Sequence, residues 1–140
     1  MHHKEACSLL LLRLGLGTVF ILFGLDKLLH PGAWIVFYPP QVQHIIAILP
    51  YEFLKIQGIA ETLIGLALVL GFLTRISAFL SGGILGLIIF FLWLDPLAIR
   101  DIGLFSIAIA LTISGGGNWS LDSFFESQHL THTTKPEKTS

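Results

Sequence analysis

Four apolar runs, each near the length that crosses a bilayer, lie in a chain of 140 residues. They fall at about Leu9–Leu29, Leu54–Leu73, Ile76–Leu94 and Arg100–Gly115. A helix rises about 1.5 Å per residue, so roughly 20 residues cross a hydrocarbon core about 30 Å thick. A water-soluble fold of this length has too little interior to bury them all. Lipid must cover the rest. No segment shows the period-two alternation of a membrane β-barrel. The reading is an all-α membrane protein: a four-transmembrane-helix bundle with an interfacial loop or short helix between helices 1 and 2.

The breaks between the runs set the topology. His30-Pro31-Gly32 stops helix 1, because proline removes a donor and glycine frees the backbone. Thr74-Arg75 alone joins helices 2 and 3, which makes them an antiparallel hairpin. Asp95-Pro96 precedes helix 4, and Gly115-Gly116-Gly117-Asn118 ends it. An even number of spans puts both termini on one side. The first run is too long for a signal-peptide core and has no small-x-small cleavage site after it, so it reads as a retained helix. Residues 1–125 form the transmembrane domain, and 126–140 a polar tail expected to be disordered.

The loop from His30 to Tyr51 is the one long connection. It holds Pro31, Pro39, Pro40 and Pro50 with Trp34, Phe37, Tyr38 and Tyr51, and Val42–Leu49 is long enough for two helical turns. Aromatic rings sit at headgroup depth, so this loop is expected to lie as a lid over one end of the bundle. Trp93 and Trp119 are expected to anchor the two faces. Lys4, Arg75, Lys135 and Lys138 lie on the side of the termini, and Lys27, Lys55 and Arg100 on the other. By the positive-inside rule the termini are cytoplasmic, in a cell (inner) membrane.

Several chemistries are excluded by what the chain lacks. Net charge is -1, which offers nothing to nucleic acid. Cys7 is the single cysteine, so the chain holds no disulfide framework and no C-x-x-C pair. No histidine lies inside a span to hold a haem, and His30 with His44 makes a poor metal site. No metal is expected.

The ionisable residues inside or near the spans carry the functional signal. A charge at the bilayer centre costs about 2.5–3.5 kcal/mol on insertion scales, so each needs a partner. The topology brings Asp26, Lys27, Glu61, Arg100 and Asp101 to one end as a polar site, and Arg13, Arg75 and Asp122 to the other. Glu61 is the deepest, with Lys27 or Arg100 as its natural partner. Gly17 and Gly24 share a stripe with Arg13 and Lys27, and Gly58 and Gly65 share one with Glu61. On helix 4 the small residues Gly103, Ser106, Ala110 and Ser114 form a stripe expected to face inward. Small residues permit close helix approach. Glu61 reads either as half of a structural ion pair or as a carboxylate that handles protons or ligand.

Three runs resemble the DoxX family of small four-helix membrane proteins: RLGLGTVFILFGLDKLLHP from Arg13, GIAETLIGLALVLGFLTRISA from Gly58, and RDIGLFSIAIALTISGGGNWSLD from Arg100. The family pattern falls on Arg13, Gly24, Lys27, Glu61, Gly65, Gly71, Thr74, Arg75, Arg100, Asp101, Gly115, Ser120, Leu121 and Asp122. The resemblance implies a cytoplasmic-membrane protein, some of whose relatives are linked to quinone-dependent sulfur oxidation or thiol-oxidative stress. Two functions follow as expectations. One is a membrane subunit that holds a quinone and takes electrons through a redox partner protein. The other is a non-catalytic assembly, chaperone or small-molecule permeability protein embedded in the lipid bilayer. Glycine faces are also compatible with a homo-oligomer.

Overall fold

The computed structural model describes residues 2–38, 50–91, 96–117 and 119–123. Every regular element among them is helical. Helix α1 spans His2–Leu29, α2 Pro31–Trp34, α3 Pro50–Leu70, α4 Thr74–Phe91 and α5 Pro96–Ser114, with a 3-10 turn at Ile35–Phe37. Two stretches, Lys4–Leu29 and Glu52–Leu70, are long and apolar enough to cross a membrane, and Thr74–Phe90 is a shorter apolar helix. The expected turns at Val42–Leu49, the break at Asp95, Trp93, His44 and the tail fall outside the described residues.

Helix boundaries follow local chemistry. Pro31, Pro50 and Pro96 each open a helix, where a missing N–H costs nothing and φ is already helical. Helix α1 starts at His2 rather than Leu9, since nothing there interrupts it and Glu5 complements the dipole of its first turn. The link between α3 and α4 differs from the expected Thr74-Arg75. Gly71 turns left-handed at φ +72° and closes α3: its N–H reaches Leu68 O at 3.1 Å, and Phe72 N–H reaches Ala67 O at 2.9 Å. This pair of bonds satisfies the last carbonyls of a helix. The link is therefore Gly71–Leu73, and Thr74 already belongs to α4.

Helices α1 and α3 meet through paired glycines seven residues apart on each. A Cβ built on Gly17 would lie 2.8 Å from Gly65 O, and one on Gly65 would lie 2.7 Å from Gly17 O. Gly24 and Gly58 oppose each other in the same way, each Cβ 2.7 Å from the other's carbonyl oxygen. The numbering runs oppositely, so the helices are antiparallel. On the other side of the bundle Gly82 of α4 faces Ala108 of α5. Leu16, Phe20, Leu68, Ala78, Leu85, Ala108 and Leu111 form the core between them.

Not every glycine packs. Gly83 and Gly103 have open space where a Cβ would stand. The stripe expected to turn inward on the last helix is not its buried face: Gly103, Ser106 and Ser114 are exposed, and Asp101, Ala108 and Leu111 are buried. Residue size alone does not set a helix's rotation, and here the buried face carries the carboxylate of Asp101. Leu22, Leu63, Phe79 and Ile113 are each more than half exposed, at 61%, 61%, 67% and 72%.

The two glycine classes give contrasting expectations. Gly65→Val forces the α1–α3 backbones apart and is expected to destabilise by about 1–3 kcal/mol. Gly15→Ala, where a Cβ meets nothing within 4 Å, is expected to be neutral or to stabilise by up to about 1 kcal/mol. Thermal unfolding in detergent measures both. Equal effects at the two positions would refute the close crossing.

Candidate functional site

The end of the bundle where α1 finishes and α3 and α5 begin encloses a pocket of about 610 Å³. Its walls are apolar, with Phe20, Phe23, Leu85 and Leu104 among them, and its polar groups converge at one end. Lys27 and Glu61 are 4% and 2% exposed, one on each face of the glycine crossing. The Gly24–Gly58 contact lets the two antiparallel backbones approach, with Lys27 a turn to one side of it and Glu61 a turn to the other. Lys27 Cβ packs over Gly58, 3.1 Å from where a Cβ would stand there, and the long lysine side chain spans the distance to Glu61. Lys27 Nζ lies 2.5 Å from Glu61 Oε1. Burial at this level gives the pair its energetic weight, because either charge alone would be stranded.

The same Glu61 oxygen accepts a second bond, from Gln57 Nε2 at 3.2 Å, and Gln57 Oε1 accepts the Tyr38 hydroxyl. Gln57 sits one turn before Glu61 on α3 and was missed in the sequence reading. Its spacing of four residues from a buried carboxylate was the available signal. Tyr38 lies beyond α2 and the 3-10 turn, so the chain of bonds runs from the loop to the buried pair. Burial raises the Tyr38 phenol above its ordinary value, and the nearby Glu61 carboxylate adds to the rise. The phenol therefore stays a neutral donor through the physiological range.

Asp101 and Arg100 complete the polar end. Asp101 is 3% exposed, and its Oδ1 accepts from Arg100 Nε at 3.0 Å and Nη2 at 2.9 Å. Arg100 is half exposed, and its guanidinium stands 4.9 Å from the Phe23 ring centre. Of the two cations named as partners for Glu61, Lys27 takes that place and Arg100 pairs with its own neighbour.

The described part of the first loop folds over this end. Trp34 Nε1 donates to Asp26 Oδ2 at 2.9 Å, and His30 Nδ1 lies 3.0 Å from Asp26 Oδ1. Asp26 is exposed, so it tethers the loop rather than joining the buried pair. The Trp34 ring packs edge-on against Phe23 at 5.5 Å and lies 4.9 Å from Lys27 Nζ. Among the described residues no cluster of histidine, cysteine and carboxylate side chains could hold a metal ion.

The residues expected to gather at the other end do so only in part. Arg13 is 1% exposed and does not snorkel. It donates to four backbone carbonyls: Leu68 O at 3.2 Å, Val69 O at 3.3 Å, Gly116 O at 2.6 Å and Trp119 O at 3.1 Å. Asp122 caps α4, accepting from Leu73 N at 2.7 Å and Thr74 N at 2.8 Å. Arg75 is exposed and runs alongside Gly115. This end is built from a guanidinium on helix-terminal carbonyls and a carboxylate on helix-terminal amides. Each satisfies groups that a helix end leaves open.

A family model described as DoxX matches residues 8–93, which take in Arg13, Lys27, Gln57 and Glu61. No curated protein and no solved structure matches the chain.

Proposed function

Since the chain belongs to the DoxX family, we propose that it is a four-span membrane protein whose pocket binds an amphipathic carbonyl ligand of the quinone class. Outward-facing leucine, isoleucine and phenylalanine on all four long helices support the four spans, because a soluble protein rarely exposes so much contiguous apolar surface. In this reading the termini face the cytoplasm.

One observation carries the ligand assignment. Paired groups of both signs, the buried Lys27 with Glu61 and the half-exposed Arg100 with the buried Asp101, stand at the end of an aromatic and aliphatic cavity of about 610 Å³. A ligand pocket of this class is mostly apolar with a few convergent polar groups. Lys27 has three N–H donors and gives one to Glu61; Arg100 has five and gives two to Asp101. The remaining donors suit ring carbonyl oxygens, and Phe23 and Trp34 suit the ring faces. The bound quinone supplies two-electron chemistry. Glu61 or Asp101 would pass the protons that must accompany electrons delivered by a redox partner protein. Trp34 and Tyr38 exclude water above them.

Native mass spectrometry of the detergent-purified protein, with extraction of co-purifying small molecules, tests this directly. A stoichiometric quinone, or saturable binding of an added one, is the expected result. Protein that carries only phospholipid and binds no added quinone would leave the pair as a structural element of a non-catalytic assembly protein.

A further inference from the structure

A second hollow of about 370 Å³ opens beside the pocket, lined by Val19, Phe23, Arg100, Gly103, Leu104 and Ile107. Val19, Phe23, Arg100 and Leu104 line both. The hollow is therefore a continuation of the pocket along the seam between α1 and α5. Arg100 marks the junction, and beyond it every lining residue is apolar or glycine. From Arg100 to Ile107 the seam follows α5 for about 10 Å at helical rise. Gly103 keeps it open: it is exposed, and a Cβ there would meet nothing within 4 Å. It contrasts with the four glycines of the α1–α3 crossing, where a Cβ would meet backbone.

We infer that this seam is a subsite for the hydrocarbon tail of a ligand whose polar head lies against Lys27 and Glu61, and that such ligands enter sideways from the lipid between α1 and α5. The inference rests on the binding reading above and adds a tail requirement and a route. Charge and polarity assign the occupant. The polar pocket end needs a head with hydrogen-bond acceptors, whereas the seam offers no donor or acceptor side chain past Arg100. A single molecule with both parts fits both spaces. Lipid tails are as apolar as the seam, so tail burial adds little affinity in a membrane. The seam acts by shape: it gives the tail somewhere to lie while the head reaches the buried pair.

The experiment uses the full chain in lipid nanodiscs. A decyl-substituted benzoquinone and the methyl-substituted ring without a chain are titrated, and binding is read by quenching of tryptophan fluorescence. Gly103→Leu fills the seam without touching the fold and is expected to weaken the decyl ligand at least tenfold while leaving the methyl ligand within twofold. Gly103→Ala, too small to fill it, is expected to behave as wild type. If Gly103→Leu leaves both ligands unchanged, or weakens both alike, the tail subsite is wrong and the head-group reading stands. If the wild type binds neither ligand, both readings fall.

Discussion

Arg13→Ala is expected to be the most damaging single substitution away from the pocket, costing roughly 3–5 kcal/mol and leaving little folded protein. A buried charged hydrogen bond contributes about 1.5–3 kcal/mol, and orphaning its partner adds a desolvation cost. Arg13 serves four carbonyls at once, two on the last turn of α3 and two after α5. Domains are only about 5–15 kcal/mol stable, so this one loss takes much of the margin. The site is also sterically committed. A Cβ on Gly71 would lie 2.7 Å from Arg13 Cζ, so the guanidinium fills the space against the turn. Arg13→Lys is expected to recover little, because an ammonium is a point donor and cannot fan across four acceptors as a planar guanidinium does. Folded yield and thermal unfolding in detergent measure both variants. A lysine variant as stable as wild type would show that charge, not the fork, is what this position requires.

The second large effect is at the buried pair. Glu61→Leu leaves the Lys27 ammonium buried without its counter-charge, and breaking such a pair costs about 3–5 kcal/mol. Replacing both partners, Lys27→Met with Glu61→Leu, removes the stranded charge and is expected to return most of that stability, since apolar substitutes for a buried pair are often neutral. Thermal unfolding of the two single variants and the double variant closes the cycle. The double variant also separates the roles of the pair. It is expected to fold yet to bind quinone at least tenfold more weakly, because the Lys27 donors are gone and only those of Arg100 remain. A double variant that folds and still binds the ligand as wild type does would remove Lys27 and Glu61 from the binding site. One that fails to fold would mean that the pair's geometry, rather than its charge balance, holds α1 on α3.

The two charged ends do different work although their residue content is alike. At the pocket end, Lys27 meets Glu61 across two helices and Arg100 meets its own neighbour Asp101, both beside open volume. At the other end, Arg13 and Asp122 each spend their hydrogen bonds on backbone, and the guanidinium packs tightly against Gly71. Both ends were visible in the sequence as mixed-sign clusters. The difference is that backbone groups near a helix terminus compete for side-chain partners, and which group wins depends on how far the chain after α5 folds back over α3.

What the sequence by itself determined is local or one-dimensional. Helix content follows from apolar runs, and the Gly17–Gly24 and Gly58–Gly65 stripes from their spacing. The breaks at Pro31 and Pro96 were legible too, though the helices expected from about Leu54 and Arg100 start a turn earlier, at Pro50 and Pro96. The depth of Lys27 and Glu61 follows from counting turns. Tertiary structure alone decided the rest: that Lys27 rather than Arg100 meets Glu61, that Gln57 and Tyr38 join them, that α5 turns Ala108 inward and leaves Gly103 beside an open seam. Periodicity places a residue on a face. It does not say which neighbour that face meets, because helix rotation and crossing are settled by the packing of all the helices together.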